Sequence, residues 1–320
     1  MSATRRPLGP ADLAPLARAA VGGGRALVDA TRLRGGSKKG VYRLGFDDGF
    51  SAIAYVWSPD EDYWDAGPSD LRDPFSHGTG LDLFTAAHDR LAAAGVRTPR
   101  LLHVDADARQ AVVEDLPGGS LEAALPRDPA LLDRLANLLD TLHSHTGPRF
   151  GKVALVDNGG TSYGTSCEQR VLEGALRDIE EVAGREPRAA EVREQLVERV
   201  RESAARVRPR ERHTLIHGEL GPDHVLLTPD GELALIDIEG LLYFDVEWEH
   251  VFLEIRFGDG YGALRVPGLD EDRLALYRLA MRLSLVAGPL RLLDGDFPFT
   301  EFMRGIAEHN LVHILDLLRR

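Results

Sequence analysis

The 320-residue sequence is poor in several things at once, and each shortage narrows what it can be. It holds a single cysteine, Cys167, which excludes an intrachain disulfide framework and a multi-cysteine metal site. No window comes near the run of about eighteen apolar residues that a membrane-spanning helix needs. Met1 to Pro10 carries two arginines with no apolar run behind them, so a secretory signal is not expected and a cytoplasmic location is. Lysine is scarce, since Lys38, Lys39 and Lys152 are the only lysines among 38 basic residues. Positive charge is itself in the minority, 38 basic against 51 acidic side chains for a net charge of −13. That field opposes nucleic acid and anionic membranes as partners and is compatible with a neutral or cationic small ligand. What remains is ordinary for a globular protein, 43% hydrophobic and 28% charged. At roughly 150 residues per domain, the length suggests two domains or one two-lobed unit.

The pattern of apolar residues changes period along the chain. Ala11 to Val21 reads as a short helix with Leu13, Leu16, Ala17 and Ala20 on one face and Pro15 tolerated in its first turn. Ala26 to Leu33, Val41 to Phe46 and Ala52 to Trp57 read as strands of an antiparallel meander, with Asp48-Gly49 as a hairpin turn. Leu81 to Ala94 returns to helical spacing, and two more strands are expected at Leu101 to Val104 and Gln110 to Glu114. From about Ser120 helices dominate, the clearest at Leu131 to His145, Val171 to Val182 and Ala189 to Val207. A small hairpin interrupts them, and helices resume at Asp245 to Phe257, Asp270 to Val286 and Phe299 to Leu318. This order is an α+β pattern in two lobes.

Reactive side chains are densest at that hairpin. The run Leu215-Ile216-His217-Gly218-Glu219-Leu220-Gly221-Pro222-Asp223-His224-Val225 is followed by Leu235-Ile236-Asp237-Ile238-Glu239-Gly240. Apolar strand residues enter and leave a polar turn, which sets His217, Glu219 and His224 on a loop with rigid flanks. An acid in the opening loop, an imidazole at its end and a second acid after the hairpin can place a hydroxyl beside a metal-bound triphosphate. Protein kinases divide the work in this way.

This stretch resembles the signature of the aminoglycoside phosphotransferase-like family, His-x-Asp-x-x-x-x-Asn and then Ile-Asp-[aromatic]. His217, Gly218, Ile236 and Asp237 match in type and spacing, and Asp245 keeps the first acid of a further family segment. Weaker similarity covers the Gly35-Gly36 turn, the Val112 to Gly118 hinge and the Leu139 to His143 helix end. The resemblance implies a two-lobed protein-kinase-like fold. Its N-terminal nucleotide-binding sheet lobe would span residues 1–117, the hinge 114–118, and a mostly helical lobe with catalytic loop and acceptor site 118–320. It also implies an ATP-dependent transfer of phosphate to a small-molecule alcohol, an aminoglycoside- or macrolide-like antibiotic among the candidates, with Mg²⁺ as cofactor. Glu219 stands at the family's catalytic aspartate and would orient or deprotonate the acceptor hydroxyl, with His217 orienting the loop. His224 and Asp237 would hold the metal, the backbone of Gly35, Gly36 and Ser37 would cover the phosphates, and Glu114 to Leu116 would offer main-chain groups to the base.

Departures from the pattern are as informative. Glu219 is one methylene longer than aspartate, and His224 replaces asparagine, as in the Leu-x-Pro-x-His loop of macrolide phosphotransferases, which Leu220 to His224 resembles. The third-strand lysine that pairs with a helix glutamate in kinases has no counterpart in Ala52 to Trp57, and Leu81 to Ala94 offers only Asp82 and Asp89. Lys38, Lys39 or Arg43 is therefore expected to supply the phosphate charge. With so many positions altered, a pseudokinase that binds a ligand or regulates without turnover is the rival reading. The Gly35-x4-Gly40 spacing lacks the Lys-[Ser/Thr] of a P-loop and equally fits a plain hairpin turn. Asp245 and Glu249 are expected to tie the following helix to the catalytic loop, Cys167 to be an inert thiol, and His309 and His313 to lie on a packed or solvated helix face. Asp294, Asp296 and Glu301 could meet amino groups of an acceptor or be plain surface charge.

Overall fold

The computed structural model describes residues 5–34, 36–64 and 70–319. The chain divides into two compact units that do not separate at residue 117. The first takes residues 1–69, 77–131 and 222–240, and the second takes 70–76, 132–221 and 241–320. The hairpin with Asp237 thus groups with the first unit's sheet, although it was expected in the helical lobe.

In the first unit, helix α1 (Pro10–Val21) leads into a five-stranded antiparallel sheet. Its strands are β1 (Leu27–Arg32), β2 (Gly40–Phe46), β3 (Ser51–Val56), β4 (Leu101–Asp105) and β5 (Gln110–Glu114), in the order β1-β2-β3-β5-β4. Helix α2 (Leu81–Ala93) lies between β3 and β4 in the chain. Helix α1 begins one residue earlier than its apolar pattern suggests, so Pro15 sits in its second turn. It lays Leu13, Leu16 and Ala17 on Tyr42, Leu44, Ala52, Ala54 and Val112. Strand β3 is buried from Ala52 onward because both its faces are covered. Ala52, Ala54 and Val56 face the α1 cluster, while Tyr55 and Trp57 meet Phe84 of α2 at ring-centroid distances of 5.4 and 5.5 Å. A strand enclosed in this way can carry a cation only if carboxylates neutralise it where it lies.

The second unit is mostly helical. Helices Cys167–Arg185, Arg193–Arg206, Val246–Phe257, Glu271–Leu292 and Thr300–Leu318 share one core that includes Ile179, Leu196, Val251, Tyr277, Leu283 and Ile314. The stretch read as one helix from Ala189 to Val207 is two, Pro187–Glu191 and Arg193–Arg206, interrupted at Val192. A four-stranded sheet is built from Thr146–Gly147, His213–Ile216, Leu242–Phe244 and Gly151–Lys152, in that spatial order, and of these only the strand at Thr214 to Ile216 is expected from the sequence. Two- to four-residue strands are too short to show a period.

After β5 the chain passes Gly118, where the first unit packs backbone on backbone. A Cβ at Gly118 would lie 2.3 Å from the Leu227 carbonyl oxygen and 3.0 Å from its carbon. Neither atom can rotate away, so Gly118→Ala must shift the hinge or the hairpin strand Val225–Leu227. The expected loss is about 1–3 kcal/mol, the usual cost of overpacking, read as a lower urea midpoint. An unchanged midpoint would show that the contact is not tight.

Candidate active site

The hairpin register explains why His224 and Asp237, thirteen positions apart, become neighbours. Val225 pairs with Leu235, and the next backbone bond runs from the Ile236 N–H to the His224 carbonyl at 3.0 Å. The turn Pro229-Asp230-Gly231 is closed by the Gly231 N–H donating to Thr228 O at 2.8 Å. Asp237 then leaves the strand with φ of 58°. This puts its Oδ2 3.8 Å from His224 Nε2.

The other oxygen of Asp237 meets a lysine from a distant part of the chain. Lys39, in the bend that precedes β2, is only 7% exposed. Its ammonium donates to Asp237 Oδ1 at 2.8 Å and to Glu239 Oε1 at 2.5 Å, and it stands 5.3 Å from the Tyr55 ring centroid. Burial alone would lower the Lys39 pKa, but the two carboxylates outweigh it and hold the ammonium well above its ordinary value. The same lysine is the main reason that the Asp237 carboxyl titrates well below the usual carboxylate range, with burial opposing and His224 assisting. Glu239, 4% exposed, was quoted in the motif but given no role by sequence reasoning. The available signal was its spacing: the short 3₁₀ turn Ile238–Gly240 brings an acid two residues after Asp237 to the same ammonium.

The remaining expected nucleotide-side residues fall into three groups. Gly35 lies outside the described residues. Gly36, Ser37 and Lys38 form the bend before β2, with the Ser37 carbonyl accepting from Tyr63 N–H at 2.9 Å and the Lys38 carbonyl from Thr79 Oγ1 at 2.9 Å. Arg43 points instead at the hinge, its Nε donating to Asp115 Oδ2 at 2.8 Å. Glu114 ends β5 with its N–H on the Arg100 carbonyl at 2.9 Å and its carboxylate on Arg97 and Arg100. Its N–H is therefore committed to the protein, and burial, offset by these donors, leaves its carboxyl below the usual range. Leu116 is buried just beyond it.

In the second unit, Gly218 adopts φ of 88°, a conformation glycine takes without strain, and so turns the chain after the buried His217. The Glu219 N–H donates to His217 Nδ1 at 3.4 Å, and Glu219 itself is exposed. Glu249 is wholly buried and its Oε2 accepts from the Gly218 N–H at 2.8 Å, so the helix that follows does hold the catalytic loop. Asp245 does something else. It binds Arg273 and accepts from Tyr277 Oη at 2.5 Å, anchoring the helix Glu271–Leu292 and not the loop.

Other candidates settle into structural places. Cys167 Sγ sits 3.4 Å from His213 Nδ1, and burial pushes the thiol well up, as an unreactive thiol requires. His309 and His313 meet edge to face on helix Thr300–Leu318 with ring centroids 4.5 Å apart. Asp294 pairs with Arg185 at 2.8 Å and Glu301 with Arg304 at 3.4 Å, so both acids already have arginine partners.

Glu249 has a measurable signature. Burial raises its carboxyl to about 7 from 4.5, with the N–H groups of Gly218 and His217 opposing. A raised folded-state pKa gives stability that is complete below 4.5 and disappears as pH rises through about 7. Glu249→Gln stays neutral and can still accept from Gly218. Its urea-unfolding stability relative to wild type should improve by on the order of 3 kcal/mol between pH 4.5 and 8. A pH-independent difference would contradict a buried protonated acid.

Comparison with known proteins places this geometry. No curated protein sequence matches significantly. Among solved structures, a choline/ethanolamine kinase family protein from Mesorhizobium loti is 18% identical with a TM-score of 0.62, covering 96% of this chain and 94% of that one. Macrolide 2'-phosphotransferase type I is 15% identical with a TM-score of 0.59, covering 94% and 97%. Spectinomycin phosphotransferase APH(9)-Ia, in complex with ADP and spectinomycin, is 12% identical with a TM-score of 0.61, covering 98% of each chain. These likenesses show the kinase-like fold expected from the motif. The family model of the phosphotransferase enzyme family matches residues 64–279, and the chain belongs to that family.

Proposed function

We propose that this protein is an ATP-dependent phosphotransferase that transfers the γ-phosphate to a hydroxyl group of a small molecule. The observation that carries the reading is the closure of His224 and Asp237 by the hairpin, with a lysine ammonium fixed on the other Asp237 oxygen. An ionised acid flanked by an imidazole and a buried cation suits a site that handles a metal-bound polyphosphate. The spectinomycin enzyme's ADP complex and the family membership support the same donor chemistry.

The donor set fits a divalent cation. Asp237 is held ionised, its side chain is 43% exposed, and its Oδ2 and His224 Nε2 are 3.8 Å apart, a span that two ligands of one small ion can bridge. Asp237 and His224 would hold Mg²⁺, although a ring nitrogen suits Mn²⁺ better than Mg²⁺. The ion would neutralise charge on the transferring phosphate. Glu219 orients or deprotonates the acceptor hydroxyl, and Glu249 fixes the loop that carries Glu219 through the Gly218 N–H. The chain of residues 36–39 covers the phosphates, and the chain at Asp115 and Leu116, beyond the last sheet pair at Glu114, meets the base. The net charge of −13 favours a neutral or cationic acceptor, as choline, ethanolamine or an amino sugar would be.

Glu219→Gln and Asp237→Asn should each lower turnover by about a hundredfold or more, measured as nucleotide consumption against a panel of alcohols that includes macrolides, aminoglycosides and amino alcohols. Retained transfer in both variants would sink the assignment. Nucleotide binding with no consumption against any alcohol would favour the pseudokinase, for which the nitrogen ligand His224 and the lengthened acid Glu219 are the specific observations.

A further inference from the structure

Kinases hold the α- and β-phosphates with a third-strand lysine that a helix glutamate keeps in place. Here neither position can do this. The third strand offers Tyr55, which is buried, and the acids of α2, Asp82 and Asp89, are both exposed. Yet an ammonium and a buried carboxylate do meet in this unit. Lys39 approaches from the leading edge of β2, the neighbouring strand, and Glu239 rises from the 3₁₀ turn against which α2 packs.

We infer that Lys39 and Glu239 together replace the strand-lysine and helix-glutamate pair, with Lys39 as the phosphate-binding cation and Glu239 as its positioning residue. Three observations carry this. First, Lys39 is almost fully buried, and an ammonium with a long flexible stem is placed there only if its charge is compensated. Second, one carboxylate would have neutralised it, but the structure supplies two, Asp237 at 2.8 Å and Glu239 at 2.5 Å. Glu239 is 4% exposed whereas the Asp237 side chain is 43% exposed, so Glu239 anchors the ammonium while Asp237 faces outward as the site acid. Third, an ammonium has three donors. Two go to these carboxylates, and the third serves a phosphate oxygen. Among the other two candidates, Arg43 is committed to Asp115. Lys38 is only partly buried, and its charge bears on Asp237 less than that of the buried Lys39.

The Tyr55 ring, 5.3 Å from the Lys39 ammonium, occupies the strand side from which the missing lysine would have come. The cation thus comes from the bend before β2 and not from the third strand, and the acid from the 3₁₀ turn against which α2 packs and not from α2 itself. A charge relocated by one strand still reaches the same carboxylates, because adjacent strands lie about 4.8 Å apart and a lysine side chain spans more than that.

This assignment rests on the phosphotransferase reading, and the test separates the two. Mg·ADP, AMP and adenosine binding would be measured by isothermal titration calorimetry for wild type, Lys39→Ala, Glu239→Gln and the transplant Lys39→Ala/Tyr55→Lys, with melting temperatures recorded. Lys39→Ala should weaken Mg·ADP by about ten- to a hundredfold, the loss of one charge-assisted hydrogen bond, and leave adenosine within about twofold. Glu239→Gln should weaken Mg·ADP by a smaller factor, and the transplant should recover part of the loss. Should Lys39→Ala not fold, Lys39→Met/Glu239→Gln removes the cation and its buried partner together and must show the same selective loss of ADP. Wild-type ADP affinity in the Lys39 variants, with wild type binding ADP, overturns the relocation and leaves the phosphotransferase reading intact. Equal losses for ADP and adenosine also overturn it, since they mark a structural role. Absence of nucleotide binding by wild type overturns both.

Discussion

A cation removed from water must be neutralised where it lies, and in this protein that requirement at Lys39 ties together the first unit. The ammonium draws in Asp237 and Glu239 from two hundred positions along the chain. Three segments thereby become mutually dependent: the bend before β2, the end of the hairpin and the 3₁₀ turn under α2. The hairpin belongs to this unit by contact even though its motif precedes and follows helical chain. One pairing explains the depressed carboxyl of Asp237, the strained φ at that residue and the burial of Glu239.

The second unit meets the same physical demand with different partners. Residues 245, 247 and 249 are all acidic and all buried, yet each is answered separately. Asp245 takes Arg273 and Tyr277, Glu247 takes Arg210 through two bonds of 2.7 Å, and Glu249 takes the Gly218 N–H. The first two bind flanking segments to the core. The third has no cation among its determinants, so burial wins and raises the carboxyl to about 7. Below that pH the acid is neutral and still accepts from the Gly218 N–H.

Long elements were legible in the residues because burial on one face writes a period. The antiparallel meander, α2 and the helices Glu271–Leu292 and Thr300–Leu318 lie where the apolar spacing puts them, within a few residues. Apart from Thr214 to Ile216, the second sheet was hidden because its strands run two to four residues, and the break at Val192 because the charged pattern continues across it. At the site, His224 and Asp237 could be anticipated, since a hairpin of known turn chemistry separates them. Arg43 illustrates the opposite case. Its position just after the glycine turn suggested a phosphate contact, but its exposed side chain on β2 donates to Asp115 at the end of the sheet.

By itself the sequence determined the family signature, the alternation of strands and helices and the shortage of lysine, because these depend on residue type and local spacing alone. Tertiary structure alone decided that Lys39 pairs with Asp237 and Glu239. Charge pairing across two hundred residues leaves no trace in local periodicity: Lys38 and Lys39 are identical in type and adjacent in the chain. Only the fold buries Lys39 and brings its ammonium onto Asp237 and Glu239.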